Sequence, residues 1–370
     1  MTIQNLKIKE IYKEKFLKEL SRRGELVKNY LLNHYFRDLF KPKDIFEGAY
    51  SYPSSMGKAL RPSILLFSCG ATGGDEKQAI PAAAAVEMYH TWTLVHDDII
   101  DNDDLRRGKP TVHKQFYKEA KKRGYSDKEA EDYGKNIAIL VGDVQHAWSI
   151  SLFTDLYSKY NFDPLIVLKL IDGLEKTVLP LLIEGETLDI QYEKKEIKEL
   201  KKEDIIDMSA KKTGELYSYS AKMGAMIGLR KADEVHSLVK ALSEFCFNCG
   251  VAFQLQDDIL GLVSEEKKLG KPIGSDIREG KRTTVVWYAY RNASPEEKQK
   301  IINLIGNKKA TRDEIKQAIN LLTYLNGIKE TEELALSYIK KAKKYLKVIP
   351  DSPYKDLLKA WADFMIEREF

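Results

Sequence analysis

Apolar residues recur at three- and four-residue steps through almost the whole chain, and no run alternates apolar with polar residues between hairpin signals. That periodicity restricts the fold to packed helices. Residues 1–35 read as an amphipathic helix or pair, with Ile8, Ile11, Phe16, Leu17 and Leu20 along one side. A second helix starts at Pro81, suited to a first helical position, and runs through AAAAVEMYHTWTLVHDDII. A third covers roughly 136–160, and others lie near 164–192, 203–228, 232–262 and 282–292, with two or three more after 295. SPEEKQ at 294, TRDE at 311 and TEEL at 331 each have the form of a helix start, a Ser or Thr followed by acids. The connecting segments are short and polar, and no Pro/Ser/Gly-rich linker or repeat divides the chain. The expectation is one all-α domain spanning 1–370, a single large helical bundle, with N-terminal helices over 1–45.

Composition narrows the function classes. Sixty Lys and Arg oppose 56 Asp and Glu over 370 residues, a net charge of +4, which describes neither a nucleic-acid arm nor an acidic tail. Three cysteines are too few for a disulfide scaffold and fit a reducing compartment. Cys246 and Cys249 have CxxC spacing, but they sit in the apolar run ALSEFCFNCGVAF without a second pair, so buried helix cysteines are expected there. No stretch reaches the roughly 20 consecutive apolar residues of a membrane span, and the N-terminus lacks an apolar signal core. A cytoplasmic protein without a membrane anchor is expected.

The sharpest feature is HDDIIDNDDLRRGKPTVH at 96–113. Asp97 and Asp101 share one helical face, and Asp98 lies three residues from Asp101. Like charges so spaced repel, and a hard divalent cation such as Mg²⁺, completed by substrate phosphates, removes the repulsion. A second acidic pair, Asp257 and Asp258, ends the apolar run FQLQDDILG and is followed by GKPIGSDIREGKR, with Lys271, Asp276 and Lys281. Two acidic pairs, each trailed by a glycine-flanked basic loop, suggest two walls of one cavity. Acids there would hold metals, while Arg106, Arg107, Lys271 and Lys281 would hold the anion that the metals also bind.

These motifs resemble the polyprenyl synthetase family, the trans-isoprenyl diphosphate synthases, from about residue 50 to the C-terminus. The two aspartate-rich motifs match, as do GKALRP at 57–62, GETLDI at 185–190 and KKTGEL at 211–216. The resemblance implies that Asp97 and Asp101, supported by Asp98, bind two Mg²⁺ on an allylic diphosphate. It implies a third ion on Asp257, with Asp258 and Asp276 nearby as direct or water-mediated ligands. Arg106, Lys212, Lys271 and Lys281 would hold the allylic diphosphate; Lys58, Arg61, His90 and Arg107 would hold isopentenyl diphosphate. Thr213 and Gln254 would border the reacting carbons. The family is homodimeric, so a homodimer is expected.

The implied reaction is head-to-tail condensation of isopentenyl diphosphate with an allylic diphosphate. The chain departs from the family pattern in three places. Gly261 stands where many relatives carry a third aspartate, and Glu186 stands where Gln is usual. A charged insertion near 114–135, expected as a solvated helical extension, has no assigned role. Trp92, five residues before Asp97, and Tyr89 are expected to close the channel for the growing tail, giving a C20 product, geranylgeranyl diphosphate, with C15 farnesyl diphosphate as the alternative. A terpene cyclase should lack GKALRP and the paired basic loops, and a non-catalytic regulatory subunit typically loses aspartates that this chain keeps.

Overall fold

The computed structural model describes residues 3–263 and 274–367, and among them helices account for nearly all regular structure. The all-α expectation holds, with one small exception. Leu105–Arg106 and Lys109–Pro110 pair antiparallel across the RRGK turn. Two-residue strands leave no alternating pattern to read, and this hairpin exists because Arg107 and Gly108 both adopt positive φ.

Local chemistry explains several helix starts. Ser126, Ser294 and Thr311 each cap a helix reciprocally with Glu129, Glu297 and Glu314 three residues on, satisfying amides that have no intrahelical partner. TEEL is different. Thr331 lies inside helix Gly327–Tyr345, fully buried, and its hydroxyl bonds Gly327 O at 2.9 Å instead of capping. The helix expected over 136–160 starts earlier, at Asp127, so much of the charged insertion is ordinary helix: Val112–Lys122, a turn at Gly124, then the first turns of Asp127–Tyr160. Asp44 pins this hairpin, accepting from Arg123 at 2.8 Å and Tyr133 at 2.5 Å. The expected 164–192 and 203–228 helices are each interrupted by a wide π turn, at Leu174–Val178 and Ala210–Gly214.

The chain forms two compact units, one of residues 1–171, 220–239 and 351–358, the other of 172–219, 240–350 and 359–370. In the first, helix Ile80–Ile100 is the centre, and its run Ala82–Val86 is wholly buried. Helix Asp127–Tyr160 lies along it, and the approach is close enough that a Cβ on Gly142 would fall 2.0 Å from His96 Nε2. Trp148 sits in an aromatic cluster with Phe36, Phe40 and Tyr50 and donates its indole N–H to His34 Nδ1 at 3.1 Å. By length and composition helix Asp127–Tyr160 is apolar enough to cross a membrane; half of that stretch is buried, as in the core helix of a folded domain. In the second unit a core of Ile205, Ile259, Val285, Val286, Ala289, Ile315, Ala318 and Leu322 lies under helix Thr284–Asn292. Cys246 and Cys249 are fully buried along helix Ser237–Val263, as their apolar surroundings predicted.

Candidate active site

Helix Ile80–Ile100 delivers its acids at its C-terminal end, where the helix dipole is already negative. Asp101 is the C-cap, its amide donating to Asp97 O at 2.8 Å. Asp98 is turned inward and completely buried. The hairpin folds Arg106 back over it, with Nε 2.8 and 2.9 Å from the two carboxylate oxygens and Nη2 in contact as well. The Tyr52 hydroxyl donates to the same carboxylate and accepts from Val112 N at 3.4 Å. Burial pushes the Asp98 carboxyl upward, opposed by Arg106 and Tyr52. Burial alone would lower Arg106, but the Asp98 carboxylate holds its guanidinium firmly protonated. Asp98 therefore spends its oxygens on protein donors, and Arg106 also lies 3.6 Å from Asp97.

A second group of cations forms beside this end. Arg61 Nη1 lies 3.0 Å from His90 Nε2. A guanidinium only donates, so this nitrogen of His90 is the acceptor and the ring is neutral. Burial, reinforced by Arg61 and Arg107, pushes His90 well below its usual range. The Arg107 guanidinium packs close over Gly57, with Nη2 2.8 Å from where a Cβ would be. Arg107, at φ 54°, anchors on Ser55 O at 2.9 Å, and Lys58 is exposed next to Gly57. Glu87, one helical turn before His90, is buried, and burial raises its carboxyl against the pull of Arg107 and Arg61. Behind the acids, Trp92 packs edge-on to Tyr89 at 5.0 Å, and His146 of helix Asp127–Tyr160 lies 4.7 Å from the Trp92 ring.

In the second unit, Thr213 donates to Gln254 Oε1 at 2.8 Å and Gln254 Nε2 donates to Asp258 at 2.9 Å. Asp258 thus orients the amide that orients the hydroxyl. Burial drives the Asp258 carboxyl up, the Gln254 bond opposes this, and Asp276, Asp257 and Asp189 add repulsion. Gly261 has a structural counterpart: an Oδ of Asp276 lies 3.2 Å from where its Cβ would be, so the short helix Ser275–Glu279 brings a carboxylate to the space beside a missing side chain. Lys212, on the π turn, has Nζ 2.8 Å from both Glu186 and Asp189. Lys281 lies 3.9 Å from Asp189 and 3.5 Å from Glu279. Lys271 lies outside the described residues.

Within the first unit, then, Asp97, Asp98 and Arg106 come together, as do Arg61, His90 and Arg107; within the second, Thr213, Gln254, Asp258 and Asp276, and Lys212 with Lys281 through Asp189. Sequence reasoning missed Tyr52, Glu87 and His146, and saw Asp189 only as part of GETLDI, without a role. Glu87 carried a signal, an acid inside an otherwise apolar alanine-rich helix; Tyr52 and His146 act through contacts distant in sequence. Among the described residues no three acidic, histidine or cysteine side chains converge as a ready-made metal cage. The donors still fit a hard divalent cation: they are carboxylate oxygens crowded against one another, and Mg²⁺ is commonly held by one or two carboxylates plus substrate phosphate.

The comparisons with known proteins agree with this chemistry. The family model described as polyprenyl synthetase matches residues 43–322. Geranylgeranyl diphosphate synthase of Methanosarcina mazei is 36% identical over 330 residues, covering 89% of this chain and 91% of that one. The crystal structure of geranylgeranyl pyrophosphate synthetase from Pyrococcus horikoshii superposes with a TM-score of 0.81 at 34% identity, covering 96% of this chain and 99% of that one. The geranylgeranyl pyrophosphate synthase of Corynebacterium glutamicum, crystallised with isoprenyl diphosphate and magnesium, does so at 0.80 and 26%, with 97% and 99% covered.

Proposed function

This chain belongs to the polyprenyl synthetase family, and from that premise we propose that it is a magnesium-dependent short-chain prenyltransferase whose main product is geranylgeranyl diphosphate. The observation that carries the reading is the acidic helix end: Asp97 and Asp101 stand at a negative helix terminus, with Asp98 committed to Arg106. Such an end invites cations, and the neighbouring Arg61 and Arg107 invite a second anion.

On this reading Asp97 and Asp101 would hold magnesium, and Asp257 would hold a further ion with Asp276 in support. Magnesium, when bound, supplies the neutralising charge that lets a diphosphate leave. Arg106, fixed by Asp98 and Tyr52, presents its remaining N–H groups to the same diphosphate without reorganisation. Lys212 and Lys281 add mobile positive charge. Arg61, Arg107 and Lys58 bind isopentenyl diphosphate. His90 is neutral because Arg61 donates to it, so it offers no competing charge. Gln254, its carbonyl held by Thr213, places a partial negative charge for the developing allylic cation. No protein nucleophile takes part; carbon–carbon bond formation follows departure of the diphosphate, and the proton lost last goes to that released anion. Trp92 and Tyr89 close the tail channel. We also assign the chain to a homodimer, to which the adjacent exposed Ile139 and Leu140 are suited.

The test is direct. Purified protein, isopentenyl diphosphate, and dimethylallyl or farnesyl diphosphate should yield a C20 diphosphate by mass spectrometry. Chelation with EDTA should abolish turnover and added Mg²⁺ restore it. Consumption of the allylic substrate alone would point to a cyclase instead.

A further inference from the structure

Lys212 is doubly countered by protein carboxylates. Glu186 and Asp189 lie three residues apart on one face of helix Leu179–Tyr192, and both place an oxygen 2.8 Å from Lys212 Nζ. The geometry is imposed by Gly185, where a Cβ would fall 2.5 Å from the Lys212 backbone nitrogen, so the two helices touch at the residue preceding Glu186. Lys281 shares Asp189 and is also countered by Glu279. Among the described residues, these ion pairs set two lysines against three carboxylates. A glutamine at 186, the usual residue at this point of the motif, would balance that account; the glutamate leaves it negative.

We propose that Glu186 is a positioning residue that competes with diphosphate for Lys212, and so sets how tightly inorganic diphosphate is retained and how strongly its binding depends on magnesium. This rests on the prenyltransferase reading. Each time a diphosphate arrives, Lys212 must exchange a carboxylate partner for a phosphate oxygen, and each time it leaves the carboxylate takes the lysine back. The repulsion between Glu186 and the bound anion acts against retention of product, and divalent cations offset that repulsion when they bind.

The test is calorimetric binding of inorganic diphosphate to the intact protein, with and without Mg²⁺. Without Mg²⁺, Glu186→Gln should bind diphosphate about tenfold more tightly than the wild type, roughly 1.4 kcal/mol, while affinity with Mg²⁺ changes little, so the gap between the two conditions narrows by a similar factor. Glu184→Gln removes the same charge from the exposed partner of Lys211 and should change affinity less than twofold. Glu186→Ala, which removes the charge without supplying an amide, should give the same gain and stands in if Glu186→Gln folds poorly. Metal-free affinity within twofold of wild type in the folded charge-removing variants, or an equal gain in Glu184→Gln, overturns the proposal. A wild type that turns over both substrates while these variants show no gain refutes this inference alone. A wild type without turnover refutes the functional reading itself.

Discussion

Replacing Trp92 with alanine should lengthen the product by one isoprene unit. Trp92 is 8% exposed, with Tyr89 below it at 5.0 Å and His146 beside it at 4.7 Å. Along a helix rising about 1.5 Å per residue, Trp92 lies about 7.5 Å and Tyr89 about 12 Å behind Asp97, a step of roughly 4.5 Å. Four chain carbons of an extended isoprene unit cover roughly 5 Å at ordinary carbon–carbon bond lengths. Removing the indole therefore opens one further unit before the tail meets Tyr89, and the main product should shift from C20 to C25. The cost is that of a large-to-small substitution in a packed site, about 3 kcal/mol, which lowers the melting temperature by several degrees without unfolding a chain of this size. Products are dephosphorylated, separated by reversed-phase chromatography and weighed. Tyr89→Ala alone should leave C20 dominant, because the indole still blocks above it, while the double variant should pass C25. A folded Trp92→Ala protein that still makes C20 would refute the floor assignment.

Other expectations follow from the same geometry. Asp98→Asn breaks a buried ion pair and should cost about 3 kcal/mol of stability with a large loss of turnover, whereas Tyr52→Phe removes one hydrogen bond and should cost about 1 kcal/mol; unchanged melting temperatures in both would sink the account of Arg106. His113 is depressed to about 4, chiefly by burial and then by Lys114. The unfolded chain takes up that proton first as pH falls below about 6.5, so His113 contributes stability above that value that is lost progressively toward pH 4. In His113→Gln that part of the pH dependence should vanish from melting curves, and an unaltered slope would contradict the assignment. Gly185→Ala forces a Cβ against Lys212 and should destabilise by about 1–3 kcal/mol while raising KM for the allylic substrate; a neutral effect would mean the helices part freely.

The sequence was most legible where chemistry is local. Ser294 and Thr311 marked helix starts because a cap and its glutamate are three residues apart and bond each other locally. Thr331 had the same neighbours yet caps nothing, because Asn326 in a left-handed conformation had already started that helix and burial gave the hydroxyl another partner. The acidic helix end was readable from spacing alone. The division of labour within it was not, since the commitment of Asp98 depends on Arg106 returning through a two-residue hairpin and on Tyr52 arriving from another helix. The nearness of Asp276 to Gly261 was hidden for a similar reason: a glycine shows what is missing, but only the fold shows what comes near the space.

The π turn at Ala210–Gly214 carries one residue more than an α-helical turn would hold, and Lys211 and Lys212 are neighbours within it. The wide turn absorbs that extra residue, so loss of a single residue there would let the helix close into regular α form with its flanking turns in place, while the side chains of the turn itself would shift by about 100°. Lys211, now paired outward with Asp207 and Glu184, would be carried toward the place of Lys212 or away from both, according to which side gave way. This stretch is therefore constrained in length as well as at Lys212 and Thr213. Alignments of related chains should show both gaps and changes at Lys212 and Thr213 rarely, and insertion scanning should find the turn among the least forgiving points of the helix.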